Sequence, residues 1–460
     1  MAKATKNICI VGGGIDSMCL SFYLSKNKHR IINLLKIKKK CNLINTSYSY
    51  GNICENGSYY SFAWSDTSPL FQELLRSIDA QDEVIQSNKY TNNISYMDEC
   101  GSMYRINKFL VRIIFNLLKD HFWGSSVPIS KDERLDSFLS KRLDSKICED
   151  VIHPYCYHYF GYPPKDVLMS SHFPNFMEKM KKGNSLISAL RSVNQKNNPV
   201  FTKNKKIVKF RKGNVTLLKK LEDHLELCNN ISVISKTGNL RIRCMRRGVK
   251  VTLGRKIIKC NEIIFCLNPM ELRKFLKNVK FEGNKKDMFV RKYLCNFHSH
   301  TLRISNVCFS KNVLPFSHSL ESLLLFKRNK QNNLISLLYD RNIFTRCDLL
   351  NAFGEKGSEK STPEEDFYET SLRFMSKERD EQKSVEEIKW FLRSVLGVQE
   401  NPDLLISNVH NIFPINKYHE KKYKKIINRK CTRVKIFWTF YFFRNLEFCL
   451  REAKEFSEAV

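Results

Sequence analysis

Apolar and polar positions follow two different periods at the start of the chain. Ile8-Cys-Ile-Val11 is a continuous apolar run of the length a buried parallel strand needs, and Ile15, Met18 and Phe22 then recur at helical spacing as far as Leu24. A second apolar run, Ile31 to Ile37, predicts a second strand. The opening therefore reads as strand, tight turn, helix and strand within about thirty residues. Further on, Ser68 to Ile85 reads as a helix followed by an acidic turn, and a hairpin ends in Met103-Tyr-Arg-Ile106. Phe109, Leu110, Ile113, Ile114, Leu117 and Leu118 form a helical stripe, which predicts an amphipathic helix whose apolar side faces either lipid or the rest of the protein. Ile263-Ile-Phe-Cys266 predicts another strand. Between Asn351 and Glu387 the pattern gives way to Glu, Lys, Ser and Thr around Ser361-Thr-Pro-Glu-Glu-Asp366, which reads as a solvated insertion.

The turn between the first strand and helix is Gly12-Gly-Gly-Ile-Asp-Ser17. Gly12 permits a sharp turn, Gly14 lets backbone approach a diphosphate, and the exposed amides opening the helix favour its negative charge. Ser17 stands at the third glycine position of this pattern, where a small residue lets helix and strand pack. Lys36 stands at the end of the second strand, where such units usually carry an acidic residue for the adenosine ribose.

Composition then narrows the classes. The 460 residues suffice for more than one domain, and 42% apolar content excludes wholesale disorder. Lys and Arg number 78 against 46 Asp and Glu, a net charge of +32, so an anionic surface is the natural partner. Lipid fits that field better than nucleic acid, since no nucleic-acid reader motif accompanies the charge. The 16 cysteines are scattered without a C-x-x-C pair, as in a reducing compartment. Cys148 with Cys156, and His298-Ser-His300, are read as thiols and surface histidines because no second half of a zinc pattern follows; no metal is expected. No apolar run approaches the roughly 20 residues of a membrane span, and the strand signal at Ile8 leaves little room for a presequence.

A colinear series of segments adds a resemblance. Leu135 to Asp144, Tyr155-Cys-Tyr-His-Tyr-Phe-Gly161, Met169 to Phe176, Phe210 to Leu218, Ile263 to Met270, Val313-Leu-Pro-Phe316, Leu338-Tyr-Asp340 and Ile412-Phe-Pro414 follow the opening turn in order. Together they resemble the oxygen-dependent protoporphyrinogen oxidases, flavoproteins of the monoamine-oxidase-like superfamily. The resemblance implies a mixed α/β and α+β protein. A Rossmann-like FAD-binding domain would be assembled from residues 1–106, 206–268 and 400–460. A helical membrane-associating domain would span 107–205, and a substrate domain 269–399, with the polar insertion at about 351–387.

The resemblance also implies a reaction and its contacts. The activity would be oxidation of protoporphyrinogen IX to protoporphyrin IX, with FAD as cofactor and oxygen as acceptor, on the inner mitochondrial membrane as a peripheral protein. Self-association into a homodimer is left open. Cofactor contacts map onto Gly12, Gly13, Gly14, Ile15, Asp16, Ser17, Ile44, Gly57, Ser58, Tyr59, Tyr60, Asn239, Thr439, Arg444, Asn445 and Leu446. Asn42 and Leu43 replace a glycine pair, Tyr59 replaces an arginine, and Trp438 and Phe443 stand where the family has glycines beside the flavin. No residue is nominated as catalytic, because the flavin itself carries this chemistry. The alternative is a catalytically impaired homologue that binds tetrapyrroles or partners. An amine oxidase with flavin linked through Cys431 or Cys449 is disfavoured, since the residues around these cysteines do not resemble that motif.

Overall fold

The computed structural model describes residues 5–36, 44–49, 52–57, 62–64, 69–87, 93–98, 100–123, 129–130, 133–195, 206–235, 240–245, 248–276, 279–281, 298–315, 322–327, 333–343, 369–414, 433–437 and 446–460. The opening pattern folds as its periodicity predicts. β1 (Lys6–Gly12) leads through the glycine turn into α1 (Ile15–Ser25) and then β2 (Arg30–Lys36). β1 and β2 pair in parallel with Gly12 level with Lys36. Strand Glu262–Phe265 lies parallel on the other side of β1, pairing Ile10 with Ile264. Ile231–Ser235 and Val434–Ile436 complete a five-stranded parallel sheet at its two edges.

Both faces of that sheet are covered, which is why its strands read as unbroken apolar runs. On one face lie α1 and the helices Pro69–Ser77, Val215–Leu227 and Leu446–Ala459, meeting in a core of Ile10, Phe22, Leu74, Leu221 and Leu450. On the other face, a four-stranded sheet built on Leu240–Met245 and Gly248–Leu253 packs Ile242 and Val251 against Val11, Ile263 and Phe265.

A seven-stranded sheet forms the second body of structure. Its order is Leu404–Ile412, β3 (His300–Phe309), Thr370–Ser376, Leu334–Tyr339, Leu323–Phe326, Ile94–Met97 and Met103–Tyr104. Ile94–Met97 joins Leu323–Phe326 in parallel, and the other pairings are antiparallel. Two strands numbered below 106 and one numbered above 400 thus hydrogen-bond into this sheet, whereas the sequence grouped those ranges with the nucleotide-type fold. Strand pairing, not chain position, sets their membership.

The polar stretch at 351–387 needs a correction. Residues 351–368 lie outside the described residues, but Thr370–Ser376 is a central, buried strand, and Glu381–Ser394 is a helix started by an Asp380 cap on the Lys383 amide. Arg373, only 1% exposed, sits inside the sheet because Asp340 and Asn306 receive its guanidinium. A charge with buried partners disguises a core strand as a solvated one.

The helical region packs on the other side of this sheet through Phe138, Phe160, Tyr162, Leu302 and Ile304. Its first long helix, α2 (Leu110–Trp123), divides the expected stripe. Phe109, Ile113 and Leu117 turn inward, while Leu110, Ile114 and Leu118 point outward with Val111, Phe115, Phe122 and Trp123. Among the described residues no helix is long and apolar enough to cross a membrane.

Candidate dinucleotide site

The glycine turn carries the first half of the site. Gly14 caps α1 in an extended conformation without a side-chain cap, and the first helical bond runs from the Met18 amide to Gly14 O at 3.2 Å. The amides of the opening helical turn therefore have no capping side chain, which is the arrangement a diphosphate uses. Ser17 does not compete for them: its hydroxyl donates to Gly14 O at 2.8 Å. A Cβ on Gly12 would lie 2.8 Å from Ser17 Cβ and 3.0 Å from the Cys266 carbonyl oxygen. Gly12 is thus fixed by packing, and Ser17 fills the space the third glycine normally leaves open.

Asp16 lies beside this turn and accepts a hydrogen bond from the Cys449 thiol at 3.4 Å. Burial raises its carboxyl to about 6, partly countered by that thiol. Cys449 is a fully buried thiol outside any disulfide, held in this way between two helices. Ile15, Ile44 and Leu446, which come from distant parts of the sequence, meet in one apolar cluster under the turn.

At the end of β2, the Lys36 ammonium pairs with the Glu222 carboxylate from helix Val215–Leu227, both side chains being largely shielded. A carboxylate on the neighbouring helix thus lies at the end of this strand, bound to Lys36. Sequence spacing does not show this, because the partner lies 186 positions away.

A hairpin of Thr46–Ser49 and Asn52–Glu55 supplies the second half. The Asn56 and Gly57 amides both bond Asn45 O, at 2.7 and 3.1 Å, so the Ile44 and Gly57 segments are brought together. Glu55 is fully buried; it accepts from the Asn214 amide at 2.7 Å and the Thr46 hydroxyl at 2.9 Å. Burial lifts its carboxyl to about 7 against these bonds and the charges of Lys209 and Arg373. Asn214 follows Gly213, whose φ is +81° and where an added Cβ would lie 2.3 Å from Thr46 Cγ2, so a side chain is excluded there.

A buried polar chain ties this hairpin to the seven-stranded sheet. Asp340 pairs with Arg373, whose Nε donates to Asn306 Oδ1 at 3.1 Å, and Asn306 Nδ2 donates to Asn56 Oδ1 at 2.8 Å. His410 Nε2 donates to Asn56 O at 2.7 Å, and burial lowers its basicity. The arrangement positions the Asn56–Gly57 backbone. The sequence reading missed Glu55, Asn56, Asn306, Asp340, Arg373 and His410. The available signal was a charged or amide residue interrupting an apolar strand pattern, as Arg373 does between Leu372 and Phe374.

Ser58, Tyr59, Tyr60, Asn239, Thr439, Arg444 and Asn445 lie outside the described residues, as do Trp438 and Phe443. The described part fits a dinucleotide at its diphosphate end: an uncapped helix start, a turn whose glycine a Cβ would fill, and a carboxylate at the ribose end of β2.

No protein-family model and no curated sequence matches the chain. Solved structures do. A provisionally named protoporphyrinogen oxidase from Exiguobacterium sp. 255-15 superposes with a TM-score of 0.75 at 14% identity, covering 99% of this chain and 98% of that one. Cyclohexylamine oxidase from Brevibacterium oxydans IH-35A follows at 0.62 and 12%, covering 99% and 98%. A reduced UDP-galactopyranose mutase follows at 0.64 and 11%, covering 99% and 93%. The chain therefore has, over nearly its whole length, the mixed α/β fold shared by these proteins.

Proposed function

We propose that the chain is an FAD-dependent oxidase of a reduced tetrapyrrole, converting protoporphyrinogen IX to protoporphyrin IX with oxygen. The observation that carries this reading is the likeness, at TM-score 0.75 across 99% of the chain, to a protein named for that activity, joined to a glycine turn shaped for a diphosphate. Bound FAD supplies hydride acceptance and reaction with oxygen. The chain's own residues supply position. Gly12 to Gly14 and the start of α1 would hold the FAD diphosphate, Lys36 and Glu222 at the end of β2 would be the groups available to its ribose, and Asn56–Gly57 is held in place by Asn306 and His410.

The outer face of α2 supports a membrane-surface part of the same reading. Val111 is 81% exposed, and Phe115, Phe122 and Trp123 are each 67% exposed, an apolar arc bordered by Lys108, Arg112 and Lys119. Such a face suits an anionic lipid surface, in this reading that of the inner mitochondrial membrane.

The test is aerobic oxidation of protoporphyrinogen IX by the FAD-loaded protein, followed by porphyrin fluorescence, with putrescine and cyclohexylamine as parallel substrates. Porphyrin formation above the spontaneous rate, with neither amine consumed, is expected. Amine oxidation without porphyrin formation overturns the substrate. Tetrapyrrole binding without turnover favours the impaired homologue.

A further inference from the structure

We propose that Asp166, His298 and His300 form a binding site for a divalent first-row transition cation of the zinc class. One ligand atom from each lies within 4.8 Å of the others. His300 Nε2 is 2.9 Å from Asp166 Oδ2, and the His298 and His300 rings meet edge to face with centroids 4.6 Å apart. In a tetrahedral site with bonds of about 2.0–2.2 Å, neighbouring ligand atoms sit roughly 3.3 Å apart.

The backbone presents the three side chains from ordered elements. His298 and His300 are two residues apart where the chain extends into β3, so they share a side, and His300 is already paired with Ile412. Asp166 closes the short 3-10 turn Pro164–Asp166, locked by a bond from the Asp166 amide to Pro163 O at 2.9 Å. Asp166 and His300 are half-buried and His298 is exposed, which leaves a path for a cation and room for a water as fourth ligand.

The surroundings hold one of the two imidazoles in place. The fully buried Tyr162 ring stacks on His300 at 5.9 Å. Tyr162 is itself held by a 2.8 Å bond from its hydroxyl to His172 Nε2. His172 gives its Nδ1 proton to Leu168 O at 2.9 Å, and burial lowers it to about 4, so it stays neutral and accepts from the tyrosine. The stack restricts the orientation of the His300 ring. Two imidazoles and one carboxylate form a donor set typical of zinc. The sequence showed only His298-Ser-His300; the carboxylate that completes the set is 132 positions earlier, and only the packing of the helical region on β3 brings it there.

The experiment titrates the full-length protein, stripped with chelator, with Co²⁺ as a spectroscopic probe and Zn²⁺ as competitor. Visible d–d bands of a nitrogen- and oxygen-ligated ion at one equivalent, displaced by Zn²⁺, are expected. His298→Ala and Asp166→Asn should each weaken binding by at least the 10–100-fold that losing a mere supporting partner costs elsewhere. Thermal unfolding of His298→Ala should be unchanged without metal and should lack the Zn²⁺-induced rise of the wild type. Equal Co²⁺ affinity in wild type and variants, or bands dominated by thiolate charge transfer, overturns the site, because the ion is then elsewhere. Should Asp166→Asn fail to fold, the exposed His298→Ala still decides the matter.

Discussion

α1 and α2 are both apolar helices beside a sheet, yet they are built in opposite senses. In α1, nine of eleven residues are buried, from Ile15 to Leu24. In α2, the fully buried residues are Asn116 and Asp120, Ile113 and Leu117 pack inward beside them, and Leu110, Val111, Ile114, Phe115, Leu118, Phe122 and Trp123 face out. The difference comes from what surrounds them. α1 is enclosed by the parallel sheet and by helices Val215–Leu227 and Leu446–Ala459, so every side finds apolar partners. α2 touches the protein along one face only, and there it turns Asp120 toward the Arg142 guanidinium at 3.3 Å and the Leu186 amide at 2.6 Å. Hydrophobic periodicity reports that a helix has two faces; it does not report which face the fold covers.

The largest effect should come from the inside of α2. Asp120→Ala leaves Arg142, whose side chain is 1% exposed, without its carboxylate and should destabilise the protein by about 3–5 kcal/mol in urea unfolding. A loss below about 1 kcal/mol would show that this face is not the structural one.

A smaller effect belongs to α1. Asp16 has its carboxyl raised to about 6 from an ordinary value of 3.8. A raised acid contributes stability that is complete below its unfolded value and is lost as pH rises through its folded value. Wild type should therefore lose on the order of 2 kcal/mol relative to Asp16→Asn between about pH 4 and pH 7, with allowance for partial exposure. Parallel pH–stability curves for the two proteins would refute the burial assigned to this carboxylate.

The smallest effect on stability, and the largest on location, is expected on the outside of α2. Val111→Ser, Phe115→Ser and Phe122→Ser should each shift stability by no more than about 0.5 kcal/mol. Combined, they should abolish binding to vesicles containing anionic lipid, which high salt should also weaken in the wild type. Vesicle binding that survives the triple substitution removes α2 from the interface.

The sequence disclosed this fold unevenly, and the reasons are physical. β1, α1, β2 and Glu262–Phe265 were legible because a sheet covered on both faces demands continuous apolar runs, and because Gly12 is dictated by contacts with Ser17 and Cys266 only a few ångströms away. Strand Thr370–Ser376 was not, because Arg373 obtains its partners from Asp340, at the start of the short helix that follows strand Leu334–Tyr339, and from Asn306 on β3. Of the dinucleotide site, the turn could be read from local spacing. The Lys36–Glu222 pair and the Asn56–Asn306–His410 chain join segments 186 to 354 positions apart, beyond any local pattern.

The central claim is that the turn at Gly12 still holds a dinucleotide. Its most direct test is the visible spectrum of the purified full-length protein after incubation with FAD and removal of the excess. A flavin band at near one equivalent is predicted, and a protein that remains colourless contradicts the account.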